Sequence, residues 1–215
     1  MAAVPFDSTT LRRLIEERLH GSRPPTDLSA AVPAGFPPGS ASLFRQYYPA
    51  SPVAAAVLVP IVDHAEGLSV LFTQRSAQLR NHAGQISFPG GRIEPADEGP
   101  LAAALRETEE EIGLSRDHVT LAGYLQPHLI LSGFWVTPVV GFVRPGFELK
   151  LDPREVASTF EVPLAHILDA TNHHARERLI GSTPLQVYDI PFGTHHIWGA
   201  TAGMLMALYG LLMKS

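Results

Sequence analysis

Residues 88–114 read FPGGRIEPADEGPLAAALRETEEEIGL and contain the clearest structural pattern in the chain. Pro100 suits the first turn of a helix, and the residues that follow it are strong helix formers. Gly113 is a typical residue just after the end of a helix. The stretch therefore predicts a helix over residues 100–112, preceded by a glycine turn.

Three carboxylates of this predicted helix share one face. Glu107, Glu110 and Glu111 stand at positions i, i+3 and i+4, and side chains at this spacing project from the same side of a helix. Like charges at this spacing repel, and a hard divalent cation with oxygen ligands compensates them best. For the helix taken alone, a solvated acidic face is the alternative interpretation.

The wider segment resembles the Nudix box, G-x5-E-x7-R-E-U-x-E-E-x-G-U, in which U is an aliphatic residue. Counted back from Leu114, the matching positions are Glu98, Arg106, Glu107, Glu110, Glu111 and Gly113. Thr108 replaces the usual aliphatic residue, and the position of the leading glycine is occupied by Arg92. Either the loop contains one additional residue or Asp97 takes the first acidic role. The ion-pair partner of Arg106 is therefore open between these two acids.

The resemblance implies roles for the residues of this segment. A divalent cation, Mg²⁺ or Mn²⁺, is expected to bind Glu107, Glu111 and the carbonyl group of Gly91. Glu110 is expected to be a further ligand or the base that activates water, and Arg106 to orient the carboxylates. A metal ion suits the hydrolysis of a diphosphate because it neutralises charge, lowers the pKa of bound water and holds the leaving group.

A further acid follows the predicted strands. Nudix enzymes often draw an additional carboxylate from a loop in this part of the chain, so Glu155 is a candidate base or metal ligand. A solvated loop acid is the alternative.

Residues 71–91, LFTQRSAQLRNHAGQISFPGG, resemble the signature of the coenzyme A pyrophosphatase branch of the Nudix family, L-x-T-x-R-S-x3-R-x3-G-x3-F-P-G-G. The matching positions are Leu71, Thr73, Arg75, Ser76, Arg80, Gly84, Phe88, Pro89, Gly90 and Gly91. The resemblance implies cleavage of the diphosphate of coenzyme A or its thioesters to 3′,5′-ADP and 4′-phosphopantetheine or its acyl form.

Two arginines and a histidine of this signature segment are candidates for substrate binding. Arg75 and Arg80 are expected to contact phosphate because a guanidinium fork matches phosphate oxygens. A surface ion pair, or an arginine that braces the loop, is the alternative for each. His82 is a candidate phosphate contact or a residue of loop structure.

Two other functions are alternatives. The Nudix box alone would also suit a hydrolase of another nucleotide derivative, such as ADP-ribose or NADH, and only residues 71–91 argue against this. A Nudix domain without catalysis, acting as a ligand sensor or interaction module, is the third reading. The presence of Glu107, Glu110 and Glu111 argues against the third reading, because such domains usually lack part of the acidic set.

The composition restricts the partners of the protein. Sixteen Lys and Arg against 21 Asp and Glu give a formal charge of −5, which predicts neither nucleic-acid nor anionic-membrane binding. The absence of cysteine excludes disulfides and thiolate sites. The N-terminus lacks a secretory pattern, and the apolar run over residues 197–213 is short for a membrane span. A cytoplasmic enzyme with a small-molecule substrate is expected, and a homodimer is left open.

The chain divides into an N-terminal helix with a Pro-rich arm, residues 1–48, and a Nudix hydrolase domain, residues 49–215. Strands are predicted at residues 53–62, 68–73, 86–88, 119–125, 134–143 and 185–190, and further helices at residues 7–20, 163–168 and 200–213. Adjacent strands with interspersed helices favour a mixed sheet between helices, an α/β/α sandwich of the α+β class, over a regular βαβ array.

Overall fold

The computed structural model describes residues 7–24, 32–33, 51–79, 81–130, 132–180 and 183–213. The helices in this part of the chain are α1 Ser8–Leu19, α2 Pro100–Ile112, α3 Leu164–Leu168 and α4 Gly199–Met213. The strands are β1 Val32–Pro33, β2 Val53–His64, β3 Gly67–Arg75, β4 Ile86–Ser87, β5 Gly90–Arg92, β6 Val119–Tyr124, β7 His128–Leu129, β8 Phe134–Val143, β9 Val156–Pro163, β10 His174–Ile180, β11 Thr183–Phe192 and β12 His195–Trp198.

β2 is the central strand, and its continuous apolar sequence reflects burial on both faces. Ala56 and Leu58 pack in one core cluster, whereas the alternate residues Val59 and Ile61 pack in another. Successive side chains of a strand point to opposite faces, so a strand covered on both sides needs apolar residues at nearly every position. β2 pairs in parallel with β8 and antiparallel with β3 and β5.

The strands form two sheets. The larger sheet has nine strands in the order β1-β7-β8-β2-β3-β4, with β5 paired to β2, β6 paired to β8 and β9 paired to β3. Parallel pairing of β2 with β8 and antiparallel pairing of β2 with β3 make this sheet mixed. The smaller sheet is the antiparallel set β10-β11-β12.

Helices cover both faces of the larger sheet. On one face, Ala103 and Ala104 of α2 pack against Leu58 and Val139. On the other face, the core includes buried residues of the remaining helices and of β11, among them Leu11, Ile15, Ile167, Ile190 and Leu205. The prediction of a mixed sheet between helices in the α+β class is therefore confirmed. Among the described helices, none has the length and apolar character needed to span a bilayer.

The N-terminal helix packs on the rest of the chain. Leu11, Ile15 and Leu19 are 4%, 0% and 2% exposed, and Asp7 caps the helix by accepting a hydrogen bond from the backbone N–H of Thr10. Most of the Pro-rich arm lies outside the described residues. The division of the chain at residues 48 and 49 stays a prediction.

Candidate active site

α2 presents the acidic residues, and its ends are fixed by glycines. Gly99 precedes the helix with φ 105°, and Gly113 ends it with φ 71° in the left-handed region, where its N–H donates to the carbonyl of Glu109. A Cβ at Gly113 would lie 2.9 Å from the backbone nitrogen of Lys150, so a side chain there is excluded by contact as well as by conformation. The helix therefore stops at the position that the sequence predicts.

Thr108, which stands where the box has an aliphatic residue, is completely buried. Its hydroxyl donates to the carbonyl of Ala104 at 2.6 Å, so the polar group is satisfied inside the helix. A buried hydroxyl with a partner costs little, which explains why threonine is compatible with this position.

The guanidinium of Arg106 connects the loop before α2 to the acidic face. Its Nε and Nη2 donate to the two carboxylate oxygens of Asp97, each at 3.0 Å, and Nη2 also donates to the carbonyl of Arg92 at 3.0 Å. Nη1 donates to Glu107 at 3.0 Å and to Glu110 at 3.2 Å. The hydrogen bonds from Arg106 lower the pKa of Asp97. In turn, the carboxylates of Asp97 and Glu107 raise the pKa of Arg106. Asp97, and not Glu98, thus forms the ion pair with Arg106.

Glu111 is the most buried carboxylate of the acidic face, with 3% of its surface exposed. One carboxylate oxygen accepts a hydrogen bond from the N–H of Gly90 at 3.2 Å, and the other lies 3.7 Å from Nη1 of Arg75. Burial raises the pKa of Glu111 to about 8, although the Gly90 hydrogen bond and the charge of Arg75 act in the opposite direction. A carboxyl group held in such surroundings gains from a nearby cation.

Glu107 lies directly against the glycine turn. A Cβ at Gly91 would lie 2.4 Å from Cδ of Glu107 and 2.5 Å and 2.6 Å from its two carboxylate oxygens. Only glycine lets the backbone of β5 approach the carboxylate this closely. Burial raises the pKa of Glu107, and the hydrogen bond from Arg106 partly opposes the shift.

Glu109 and Glu110 differ from Glu107 and Glu111. The side chain of Glu110 is 60% exposed and pairs with Arg106. Glu109 accepts hydrogen bonds from Nη2 and Nε of Arg116 at 2.6 Å and 3.0 Å, which lowers its pKa. Glu109 thus belongs to a surface ion pair on another side of α2, away from the glycine turn.

Glu155 is an exposed residue in the turn before β9. Its carbonyl oxygen accepts a hydrogen bond from the N–H of Ser76 at 2.7 Å, which joins the turn to the end of β3. The negative charge of Glu155 contributes to the raised pKa values of Glu107 and Glu111. The structure therefore brings Glu155 within electrostatic reach of the acidic face.

Arg75 ends β3 beside the acidic face. The pairing of β3 with β9 shifts register between Gln74 and Arg75, and such bulges commonly redirect a side chain next to an active site. The side chain of Arg75 is 25% exposed, and its Nε is buried without a hydrogen-bond partner among the described residues. An arginine with a spare buried donor is suited to bind an anion.

The other two predicted substrate contacts have different outcomes. Arg80 lies outside the described residues. His82 has a positive φ of 58°, and its ring accepts or donates a hydrogen bond with the side chain of Gln85 at 2.9 Å. His82 lines the same cleft as Arg75.

The cleft has a volume of about 750 Å³ and runs along the glycine turn at Gly90 and Gly91. Its lining includes Arg75, His82, Gly90, Gly91 and Arg92. The cleft is also lined by residues from the segment around β7, from the smaller sheet and from the start of α4, among them Ile130, Leu179, Tyr188, Trp198 and Met204.

Two parts of the site were not predicted from the sequence. Arg92 lies in the cleft with its guanidinium carbon 5.5 Å from the centre of the Phe134 ring, a cation–π contact. Its position directly after the glycine pair was the available signal. The wall formed by the smaller sheet was also missed, since strands β10 and β12 were not predicted.

A divalent metal ion fits the residues present, although they are not arranged as a finished ligand set. Among the described residues, no group of three or more His, Asp or Glu side chains stands ready to hold a metal ion. Glu110 pairs with Arg106 instead, and an exposed ion pair of this kind is weak, at roughly 0–1 kcal/mol. The buried carboxylate of Glu111 and the carboxylate of Glu107, which lies directly against Gly91, suit a hard cation with oxygen ligands.

Comparison with known proteins identifies the family. The protein-family model described as "NUDIX domain" matches residues 52–180. A protein named "Uncharacterized Nudix hydrolase NudL" from Photorhabdus laumondii is 42% identical over 154 residues, which are 72% of this chain and 82% of that protein. The protein of the same name from Escherichia coli (strain K12) is 39% identical over 154 residues, or 72% of this chain and 80% of that protein.

Solved structures with 20–22% sequence identity are also similar to the chain in fold. A C. elegans Ap4A hydrolase binary complex has 22% identity and a TM-score of 0.45, with 51% of this chain and 80% of that chain covered. The NUDIX domain of Shewanella oneidensis NrtR, complexed with ADP ribose, has 20% identity and a TM-score of 0.43, with 58% and 80% covered. From the match over residues 52–180 and the NudL relatives we conclude that the chain belongs to the Nudix family and is a hydrolase of the diphosphatase type.

Proposed function

We propose that the protein hydrolyses the diphosphate of coenzyme A or its thioesters to 3′,5′-ADP and 4′-phosphopantetheine or its acyl form. The observation that carries the proposal is the position of Arg75. This residue of the signature segment lies 3.7 Å from Glu111 of the box, lines the cleft and has an unpaired buried donor. The segment that resembles coenzyme A pyrophosphatases and the acidic helix thus meet at one site.

Nudix hydrolases generally use divalent metal ions. In this chain Glu107, Glu111 and the carbonyl group of Gly91 would hold Mg²⁺ or Mn²⁺, with Glu110 available as a further ligand. A bound ion would neutralise the diphosphate and lower the pKa of a water molecule.

The chain's own residues arrange the carboxylates around this chemistry. The fork between Arg106 and Asp97 fixes the side chain that donates to Glu107, and the N–H of Gly90 orients the carboxylate of Glu111. Arg75 provides positive charge for the diphosphate oxygens on the cleft side. Fixed groups of this kind need no rearrangement as charge develops, which is the main source of electrostatic catalysis.

Two exposed acids are candidates to accept the proton of the attacking water. Glu110 projects from α2, and Glu155 approaches from the turn before β9. Either carboxylate can take a proton from water and release it to solvent, because neither is buried.

The remaining assignments belong to the same proposal. The enzyme acts in the cytoplasm on a small nucleotide derivative, without nucleic-acid or membrane partners. A homodimer is compatible with this role.

Product analysis tests the proposal. Purified protein is incubated with coenzyme A, ADP-ribose and NADH in parallel, with Mg²⁺, with Mn²⁺ and with EDTA. We expect 3′,5′-ADP from coenzyme A, faster than any product from the other two substrates, and no product in EDTA. Faster cleavage of ADP-ribose or NADH would leave the Nudix hydrolase in place and overturn the coenzyme A assignment.

A further inference from the structure

Arg92 of β5 lies on the cleft face of the larger sheet, away from the acidic helix. β5 pairs antiparallel with β2, with Gly91 opposite Ala56 and Arg92 opposite Ala55. Directly opposed residues of such a pair share a face of the sheet, and successive residues of a strand alternate between the faces. Ala56 packs in the core cluster that contains α2, whereas Ala55 lines the cleft. Arg92 therefore faces the cleft, and Gly91 faces the carboxylates.

The guanidinium of Arg92 is held in the cleft without an acidic partner. Its carbon lies 5.5 Å from the centre of the Phe134 ring, and the carbonyl of the same residue accepts a hydrogen bond from Nη2 of Arg106 at 3.0 Å. Among the described residues, no carboxylate forms an ion pair with Arg92, and no Asp or Glu lines the cleft. Arg75 differs, since its Nη1 lies 3.7 Å from Glu111. Arg92 thus offers an unneutralised cation to an anion bound in the cleft.

The phosphate within reach of Arg92 differs from the phosphates beside the metal ligands. Glu107 lies directly against Gly91, so the proposed metal ion and the diphosphate that it neutralises would meet on the face of Gly91. Arg92 faces the opposite side of β5. Coenzyme A carries a further anionic group, the 3′-phosphate of its ribose, and holding this charge in a cleft requires a cation of its own.

We infer that Arg92 binds the 3′-phosphate of coenzyme A and selects coenzyme A over substrates that lack this phosphate. The inference rests on the proposed function and assigns to it a specificity-determining residue. ADP-ribose, NADH and dephospho-coenzyme A contain the adenosine diphosphate portion but no 3′-phosphate, so none of them gains this contact. A guanidinium fork matches the oxygens of a phosphate and pairs with its negative charge.

Dephospho-coenzyme A tests the inference because it differs from coenzyme A only in lacking the 3′-phosphate. The kcat/KM values of both compounds are measured with Mg²⁺ for the wild type, Arg92→Gln, Arg92→Lys and Arg13→Gln. Arg13 is the matched control, an arginine of α1 whose side chain is 71% exposed and does not line the cleft. Dissociation constants of 3′,5′-ADP and of AMP, which also differ only in the 3′-phosphate, are measured by calorimetry in EDTA, where no turnover occurs.

We expect the wild type to prefer coenzyme A over dephospho-coenzyme A by at least about tenfold in kcat/KM, as a charged hydrogen bond provides. Arg92→Gln should lower this preference, and the matching preference for 3′,5′-ADP over AMP in affinity, by about tenfold. Arg92→Lys keeps the charge and should lose less, and Arg13→Gln should leave both preferences unchanged.

Two results would overturn the inference and leave the proposed function standing. One is an unchanged preference in Arg92→Gln. The other is an equal loss of kcat/KM on both compounds, which would assign Arg92 to the shared diphosphate. Failure of the wild type to cleave coenzyme A would instead overturn the proposed function, and the affinities for 3′,5′-ADP and AMP would still test the phosphate contact of Arg92.

Discussion

Asp97 and Glu98 are neighbours in the chain, yet they have different surroundings. Asp97 receives two hydrogen bonds from Arg106, and its side chain is 6% exposed, whereas Glu98 is an exposed residue. The two hydrogen bonds to Asp97 fix the guanidinium of Arg106, which in turn donates to Glu107. Loss of one charged acceptor should therefore disturb the acidic face more than loss of an exposed acid.

We predict that Asp97→Asn lowers kcat/KM by roughly tenfold to a hundredfold, because a charged hydrogen bond contributes about 1.5–3 kcal/mol. Glu98→Gln should retain activity within about twofold, as expected for an exposed acid. Steady-state hydrolysis assays of both variants check this, with circular dichroism to show that each is folded. Similar losses in the two variants would mean that Glu98 shares the role of Asp97.

The raised pKa of Glu111 predicts how the stability of the metal-free protein depends on pH. The pKa is about 8 in the folded state against an ordinary value of 4.5, so the folded state holds a proton that the unfolded state has lost between these pH values. The contribution of Glu111 to stability is therefore fully present below pH 4.5 and is lost as the pH rises to about 8. Each pKa unit corresponds to about 1.4 kcal/mol, so the loss is on the order of a few kcal/mol.

Urea unfolding in EDTA, at about pH 5 and about pH 8, tests this prediction. The free energy of unfolding of the wild type should fall between the two conditions by more than that of Glu111→Gln. The amide still accepts the hydrogen bond from Gly90 and does not ionise, so the variant lacks this contribution. An identical fall in both proteins would show that Glu111 ionises normally in the fold.

α2 has two acidic sides with different partners. Glu111 faces the glycine turn and Arg75, whereas Glu109 is tied to Arg116 on the surface. The two residues have the same side chain on one helix, so exchanging each for glutamine compares the two sides directly.

We predict that Glu111→Gln lowers kcat by about a hundredfold or more, because it removes a charged group proposed to hold the metal ion. Glu109→Gln should change kcat by less than about twofold, since an exposed ion pair contributes little. Turnover at saturating Mg²⁺ is the measurement. Equal activity of the two variants would refute the proposed roles of the acidic face.

Prediction from the sequence succeeded for elements with a strong local pattern. α2 and β8 have the predicted bounds, 100–112 and 134–143, because capping residues and a long apolar run define them. β5 was missed because its three residues, Gly90 to Arg92, have low strand propensity and are held by pairing with β2. β10 was missed because its charged sequence, HARERLI, has no continuous apolar run.

Prediction of the site also succeeded only where a local sequence pattern was strong. The spacing of the acids on α2 was readable from the sequence because helical geometry is regular. The choice between Asp97 and Glu98 depended on a loop, whose conformation no local pattern specifies. The part of the cleft formed by the smaller sheet and α4 depends on contacts between distant segments, as when Thr201 donates to the carbonyl of Ile86 at 3.0 Å.

At the scale of the whole molecule, α1 is part of the core although it precedes the matched family region. Ile15 is completely buried, and Arg12 pairs with Asp63 of β2. A helix held by such contacts contributes to the stability of the domain.

We predict that Ile15→Ala lowers the free energy of unfolding by about 2–4 kcal/mol, the usual cost of truncating a buried isoleucine. Glu17→Ala, at an exposed position of the same helix, should change it by less than about 0.5 kcal/mol. Urea unfolding of both variants measures the difference. A small effect of Ile15→Ala would show that α1 is an appendage that folds independently of the domain.

The residues that line the cleft come partly from the matched family region and partly from the chain that follows it. The acidic helix and the glycine turn lie within the matched residues 52–180, whereas β11, β12 and α4 follow them. Mutations in the C-terminal region can therefore reshape the accepted substrate while the hydrolytic groups stay unchanged. Proteins that share the hydrolytic groups can therefore differ in substrate specificity. A laboratory search for new specificities should randomise the cleft residues of β11, β12 and α4 first.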